Sequence, residues 1–368
     1  MVTVLIGGDT GPAHGPAQGV PVQHYTELLE PALRQADFRL LNCMRTYSDR
    51  VPVASEAPQV AQSIEMADLY SNAEIDGVTM ANNHAWDSGP DALLDTIELF
   101  LSRGIQVTGA GGDLDQASRP VILERDGLRI GYLGVTSLGK SGSRAAAGKP
   151  GVYSLDIETE YVPRGAHAPV RIVTRADEGD LAGLVSHVQA LRGEVDHLIV
   201  AFHSGVIRLP RVISDYQVQV CRAVADAGAD LIVCHAPHIL KGVEVWNGKP
   251  IFYSIGVFAM TKPFAAESWS EPAWTHGAIR NHTDLDAGCP SMPYGEDCRM
   301  SLLVRAEFGR EGQMQVSFLP MQIDPDCRPR LVTADSPEFA RILDHMEWAS
   351  VDLPHRFTVQ GDSVIVTG

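Results

Sequence analysis

The chain has 368 residues, is 45% apolar and carries a formal net charge of −17 at pH 7, enough for one large α/β domain or two smaller ones. The acidic excess is spread along the chain, which argues against non-specific attachment to nucleic acid or anionic membranes, and no apolar run approaches the roughly 20 residues of a membrane-spanning helix. Six cysteines without a CxxC pair, with strand-like sequence from Val2 where a signal peptide would stand, predict a reducing, cytoplasmic setting. Only Cys289 and Cys298 are close enough in sequence to suggest a loop disulfide.

Residues 2–6 form a β-branched run and predict a strand that ends in Gly7-Gly8-Asp9. The glycines there lack the Lys-Ser/Thr of a phosphate loop and the spacing of a dinucleotide fingerprint. Residues 25–36 and 56–71 carry helix-like apolar spacing, and residues 38–42 and 77–81 read as strands. From Pro90 to Arg103 an amphipathic helix is expected, capped by Asp87 or Ser88 and ended by Gly104. Val107 marks a short strand, and residues 121–123 and 129–133 read as a hairpin turned at Asp126-Gly127. Residues 139–150, rich in Gly, Ser, Ala and Lys, have the composition of a mobile loop or lid.

Helices are predicted at 180–192, 214–227 and 336–349, core strands at 197–202, 231–233 and 251–256, and an antiparallel pair at 301–308 and 314–319. Residues 260–298 show no period, and a loop of that length is usually functional. It offers Trp269, Trp274, His276, His282 and Tyr294 as pocket residues, and the aromatic ones equally suit packing of the loop onto the body. With no repeat and no linker, residues 1–330 are read as one domain, with the helix and tail of 331–368 packed on it.

Five strand ends deliver polar groups: Asp9, Asn42, Asn83-His84, His203 and His235/His238. If the strands are sheet neighbours, these groups converge on one rim, where α/β proteins build sites. Asp, Asn and His are the residue types of dinuclear hydrolase centres. Each also has a plain reading, as a turn brace or a satisfied core polar group.

The ordered motifs Gly8-Asp9, Asn42-Cys43-Met44, Ala81-Asn82-Asn83-His84-Ala85-Trp86-Asp87-Ser88-Gly89, His203-Ser204-Gly205, Cys234-His235-Ala236-Pro237-His238 and Ser254-Ile255-Gly256-Val257-Phe258 resemble the CapA (poly-γ-glutamate capsule synthesis) family of the calcineurin-like metallophosphatase superfamily. The resemblance covers about residues 1–325. It implies a four-layer metallophosphatase-like α/β sandwich, two mixed sheets flanked by helices. Departures from the family pattern fall on its ion ligands. Met44 stands where a glutamate is usual, Ala236 where a histidine is usual, Val257 replaces an asparagine, and Val206-Ile207 follow His203-Ser204-Gly205 where a glutamate is usual. A thioether is a poor ligand for a hard divalent ion.

What remains is one carboxylate, several histidines and two thiols, an acid–base set. The missing leader and the eroded ligands resemble the family's cytoplasmic lasso-peptide epimerase branch. That resemblance implies inversion at the Cα of a C-terminal tryptophan in a ribosomally made precursor peptide, without metal or cofactor. The expected catalytic residues are Asp9 on one face of the Cα and His235 or His238 on the other, with His84 and His203 beside them. Asn42, Asn83 and His84 would hold the enolate oxygen, and Arg45 would grip a terminal carboxylate. Cys43 and Cys234 are alternative bases, and Trp274 and His276 are substrate-binding candidates. Two other readings stand beside this one: a metallophosphoesterase with a reduced site, and a non-catalytic scaffold that binds a peptide. The sequence does not set the oligomeric state.

Overall fold

Alternate residues of each apolar strand go to different cores, and this parity produces a four-layer sandwich. The computed structural model describes residues 1–50, 62–165, 167–261, 286–292 and 294–368. A ten-stranded sheet runs Arg356–Gln360, Ser363–Thr367, Met314–Ile323, Met300–Phe308, Val2–Gly11, Phe38–Cys43, Gly77–Thr79 and Gln106–Thr108, with Val257–Met260 and Pro329–Leu331 attached to its middle strands. A six-stranded sheet runs Val243–Trp246, Lys249–Phe252, Leu231–His235, His197–His203, Leu128–Thr136 and Val121–Arg125. The strands that feed the rim pair in parallel in both sheets.

Val4, Ile6 and Leu40 of the first sheet meet Tyr132, Ile199, Ala201, Leu231 and Val233 of the second in one layer between the sheets. The residues in between turn outward. Leu5, Leu41 and Val78 pack with Leu93 and Phe100 of the Gly89–Ser102 helix. Leu198, Val200, Phe202 and Ile232 pack with Leu184 and Val188 of the Glu178–Arg192 helix and Val220 and Val224 of the Asp215–Ala227 helix. Each such side chain, fully buried, contributes about 1.5–3 kcal/mol. Sealed on both faces in this way, the strands form a rigid frame for the groups at their ends.

Asp9 breaks the parity. Between Ile6 and Asp9 the first strand advances three residues while its partner advances two, from Leu40 to Asn42. This bulge turns Asp9 onto the same face as Asn42. Gly8 is required there because a Cβ would sit 2.2 Å from the Gly256 carbonyl oxygen. Gly256, at φ 78°, lets the crossing chain receive the Asp9 N–H at 3.2 Å.

Several elements differ from the sequence reading. The expected 25–36 helix is a 3-10 turn at Val22–Tyr25 and a single α turn at Glu30–Leu33. Of the 56–71 helix, residues 51–61 lie outside the described residues, and the rest is a 3-10 turn, Ile64–Ala67, followed by Asp68–Asn72. Neither Asp87 nor Ser88 caps the Gly89–Ser102 helix through its side chain. Residues 139–150 carry hydrogen bonds from Ser143 N to Lys140 O at 3.0 Å and from Val152 N to Ser143 O at 2.8 Å, which do not test the expected mobility. Two exposed hairpins were not foreseen, Ile157–Val162 with Arg171–Ala176 and Arg356–Gln360 with Ser363–Thr367, and the second extends the first sheet through Ser317 and Ile365. Phe339, Ile342 and Met346 of the Pro337–Ser350 helix join the inter-sheet layer. All six cysteines are free. Cys289 lies 3.6 Å from the Sγ of Cys327, and the Cys289–Cys298 bond that the sequence spacing allowed is not formed. Among the described residues no helix is long and apolar enough to cross a membrane.

Candidate functional site

The parity that builds the inter-sheet layer carries Asn42, His203 and His235 onto one rim with Asp9. The same parity sends Cys43 and Cys234 the other way, which removes both from the expected site. Cys43 packs in the outer core and its Sγ–H donates to Arg45 O at 3.2 Å; burial pushes its thiol up to about 11. Cys234 lies in the opposite outer core, 3.5 Å from Cys221.

A chain of hydrogen bonds with one direction runs through the rim. Asn82 Oδ1 accepts the backbone N–H groups of His84 and Ala85, each at 3.0 Å. Its amide must therefore point its hydrogens away, to Asn42 Oδ1 at 3.1 Å and Cys43 O at 2.7 Å. Asn42 is then obliged to turn its own hydrogens inward, to Asp9 Oδ1 at 2.6 Å and His203 Nδ1 at 3.1 Å, with Met44 Sδ also at 3.2 Å. An acceptor at Nδ1 puts the His203 proton on Nε2, which donates to Asn83 Oδ1 at 3.0 Å. Asn83 Nδ2 in turn donates to His84 Nε2 at 3.2 Å, so His84 carries its proton on Nδ1, which donates to Asp87 Oδ2 at 2.7 Å. The other Asp87 oxygen holds Lys140. Each tautomer follows from the backbone anchor at Asn82 and the two hydrogens of each amide.

Two aspartate–histidine couples result. In one, Asp9 Oδ2 lies 2.7 Å from His238 Nδ1, an ion-pair distance at which Nδ1 makes no well-aligned hydrogen bond. In the other, Asp87 Oδ2 lies 2.7 Å from His84 Nδ1. Asp9 also accepts from Ala236 N at 3.2 Å and is fully buried. It touches His238 directly, so the two do not stand on opposite faces of a substrate as expected. His235 is buried, lies 3.9 Å from Asp9 Oδ1 and has no hydrogen-bond partner on either ring nitrogen. The turn carrying these histidines is strained: Ala236 has φ 94° and His238 φ 56°, conformations that favour glycine and that persist where the surroundings enforce them.

Burial opposes ionisation of Asp9, but His238 above all, with His203 and His235 nearby, holds its carboxyl below the usual carboxylate range. Burial lowers His203 to about 3 and His235 to about 4, in each case against the pull of Asp9. His84 is lowered by burial against the pull of Asp87. These three imidazoles are neutral at physiological pH, as the wiring requires of His203 and His84.

Beside the couples, Arg45 is buried, its Nε donating to Gly11 O at 3.1 Å. Tyr294 stacks on His238 with centroids 4.8 Å apart and planes 13° apart, and Arg208 lies 4.2 Å over the Tyr294 ring. Sequence reasoning placed Tyr294 among loop aromatics and gave Asn82, Arg208 and Lys140 no role. Asp87, read as a helix cap, had a usable signal in its position three residues after His84. Trp269, Trp274, His276 and His282 lie outside the described residues.

The donor set does not suit a hard metal ion. Asn42 turns amide hydrogens, not oxygen, toward the centre, Met44 offers a thioether, and both ring nitrogens of His203 are engaged. Among the described residues no group of three or more His, Cys, Asp or Glu is arranged to hold an ion.

The family model described as bacterial capsule synthesis protein PGA_cap matches residues 3–262. The PGA biosynthesis protein CapA of Bacillus subtilis is 29% identical over 235 residues, 63% of this chain and 55% of that protein. The capsule biosynthesis protein CapA of Bacillus anthracis is 29% identical over 181 residues, 49% of this chain and 39% of that protein. The chain thus spans about half the length of the curated relatives it matches. Among solved structures, a hypothetical protein from Thermus thermophilus aligns over 87% of this chain and 99% of its own at 15% identity and TM-score 0.44. The calcineurin-like phosphoesterase YfkN from Bacillus subtilis aligns over 90% of this chain and 88% of its own at 13% identity and TM-score 0.35. Likenesses this distant fix neither a site nor an activity.

Proposed function

Taking as premise that the chain belongs to the bacterial capsule synthesis protein PGA_cap family, we propose that it is a peptide epimerase. It moves a proton at the Cα of a residue in a ribosomally made lasso precursor peptide, the C-terminal tryptophan being the expected one, without metal or cofactor. The observation that carries this reading is the pair of aspartate–histidine couples, each with Nδ1 2.7 Å from a carboxylate. Inversion at a carbon needs one group to take the proton and another to return one on the opposite face, and such groups supply on the order of 10²–10⁴ each.

Asp87 fixes the tautomer and tilt of His84 and Asp9 lies beside His238 Nδ1, so that a bare Nε2 on one ring would take the Cα proton while a proton carried on Nε2 of the other would be returned to the opposite face. Asp9 acts through His238, because Asn42, Ala236 N and His238 already occupy its oxygens. Asn42 has spent its hydrogens on Asp9 and His203, so the amide free to turn to the enolate oxygen is that of Asn83, now 3.2 Å from His84 Nε2. His203 and Asn42 brace this arrangement.

The test is proton exchange in deuterated water with a peptide ending in tryptophan, after exhaustive chelation. Deuterium enters the terminal Cα with wild-type protein. His84→Gln and His238→Gln each stop net inversion, while the remaining couple still exchanges one configuration. Absence of exchange with every candidate precursor peptide sinks the proposal.

A second reading, a metal-dependent phosphoesterase with a reduced site, draws support from His235. Neither ring nitrogen has a hydrogen-bond partner, and Nδ1 sits 3.9 Å from Asp9 Oδ1, where a cation would satisfy it. Stoichiometric metal in the purified protein, together with phosphodiester hydrolysis that follows metal content, selects that reading.

A further inference from the structure

Among the described residues, two pairs of thiols lie in sulfur–sulfur contact, and their settings differ. Cys221 and Cys234 are 3.5 Å apart, one on the Asp215–Ala227 helix and the other on the Leu231–His235 strand, sealed in the outer core of the second sheet. Cys289 and Cys327 are 3.6 Å apart, and both stand in turns. In one turn the Cys289 N–H donates to Asp286 O at 3.1 Å, and in the other the Cys327 N–H donates to Asp324 O at 2.9 Å. Arg299 clamps the two turns together, with Nη1 on Asp286 Oδ2 and Nε on Ile323 O, each at 2.8 Å.

Cys289 and Cys327 are buried, yet their chain neighbours are open: Ala287, Gly288 and Pro290 around the first and Pro325 and Asp326 before the second are exposed. A local opening of either turn brings a thiol to solvent, whereas the helix–strand pair reaches solvent only by wider unfolding. Cys327 holds φ 64°, a backbone conformation costly for a residue with a Cβ. The pair is also asymmetric. The Cys327 thiol, the Met292 N–H and the Arg299 guanidinium favour the Cys289 thiolate and, against burial, lower its pKa to about 7. Burial pushes Cys298, in the same apolar cluster, up to about 12. The thiolate is the reactive form, so Cys289 is the nucleophile of the set. The chain that leaves Cys289 leads to Tyr294, a member of that cluster whose ring stacks on His238.

We propose that Cys289 and Cys327 are a dithiol that small-molecule disulfides oxidise, and that the bond fastens the segment carrying Tyr294 to the turn at Asp324–Cys327, beside His238. The Cys289 thiolate attacks one sulfur of the disulfide reagent and expels a thiolate. Cys327 then gives up its proton, attacks the Cys289 sulfur of the mixed disulfide and expels the second thiolate. The two expelled thiolates take up the protons that Cys289 and Cys327 lose, two electrons pass to the reagent, and an excess of small thiol reverses the exchange. Where the surroundings are reducing, bonds of this kind are transient and report the state of the thiol pool. The proposal depends on where Tyr294 sits and on no particular reaction at the rim, so it stands or falls apart from the activity assigned above.

The experiment equilibrates the full chain in mixtures of reduced and oxidised glutathione, quenches in acid, alkylates the remaining thiols and maps the disulfides by mass spectrometry. A Cys289–Cys327 bond is expected, with loss of two hydrogens, while Cys221 and Cys234 remain reduced. The bond closes a loop between positions 38 apart, so the oxidised protein should melt several degrees above the reduced one. Amide hydrogen exchange in peptides that contain Tyr294 should slow by at least about threefold on oxidation and recover on reduction. Cys289→Ser should remove all of these changes, and Cys327→Ser serves as the test if that variant does not fold. Thiols that stay reduced throughout, a stable mixed disulfide with glutathione, a bond at Cys221–Cys234 alone, or a Cys289–Cys327 bond that leaves exchange around Tyr294 unchanged overturns the proposal.

Discussion

Two buried polar clusters in this molecule differ in how completely they are satisfied. On the outer side of the second sheet, the fully buried Glu244 takes Arg222 at 2.6 and 3.1 Å on Oε1 and the Tyr253 hydroxyl at 2.6 Å on Oε2. Trp246 lies 4.1 Å from the Arg222 guanidinium and donates its indole N–H to Asp226 at 2.9 Å. At the rim of the sheets, by contrast, His235, His238 and Arg45 carry buried nitrogens without hydrogen-bond partners. A satisfied network stabilises one geometry, whereas unmet donors and acceptors cost about 1–3 kcal/mol each and persist where something else, such as a ligand, completes them.

The largest effect should come from Asp9→Asn, which removes the charge that orients His238. Cα exchange should fall by on the order of 10²–10⁴ while circular dichroism stays native, and Glu244→Gln should leave exchange unchanged. Equal exchange in both variants would erase the distinction between the clusters. Next comes Asn82→Ala, which frees the backbone N–H groups of His84 and Ala85 and lets Asn42 rotate. Exchange should drop roughly ten- to hundredfold and stability by about 1–3 kcal/mol, read by single-turnover kinetics and urea unfolding. Glu244→Gln should lower stability by a similar ~1–3 kcal/mol without a kinetic effect, because the Tyr253 hydroxyl and part of Arg222 lose their acceptor.

The smallest effect is a slope. His203 and His235 are lowered by burial to about 3 and about 4, against an unfolded value near 6.5. Between those limits the unfolded chain binds more protons than the folded one, so stability falls as pH drops from about 6.5 toward 4. The urea midpoint measured between pH 7 and 4.5 should decline, and His203→Gln should flatten that decline. An unchanged slope would mean that His203 is charged in the folded state.

The strands and their polar ends were legible because burial on both faces demands long apolar runs, as at 197–202 and 231–235. The parity of those same runs already separates Asn42 from Cys43 and His235 from Cys234, so the two thiols were misassigned by reading strand ends as clusters and not as alternating faces. Asp9 was the harder case: the bulge after Ile6 that rotates it inward leaves no periodic trace beyond Gly7-Gly8. The 25–36 segment carries helical spacing but holds only short turns, packed through Tyr25, Leu29 and Leu33. The 157–176 hairpin is largely exposed and so lacks an apolar signature. The stack of Arg208 and His238 with Tyr294 joins residues 56 and more positions apart in the chain, a meeting that local pattern does not encode.

The one-way wiring from Asn82 to Asp87 has a further consequence. A proton arriving on His84 Nε2 would oblige Asn83 to turn over, and His203 would then have to surrender its Nε2 hydrogen and carry one on Nδ1, against the hydrogens of Asn42. Asn42 cannot yield, because Asn82 is nailed to the main chain. The relay therefore works as a valve: an incoming substrate that draws the Asn83 amide away lets His84 Nε2 take a proton and give it back, but His84 cannot keep a second one while the pocket is empty.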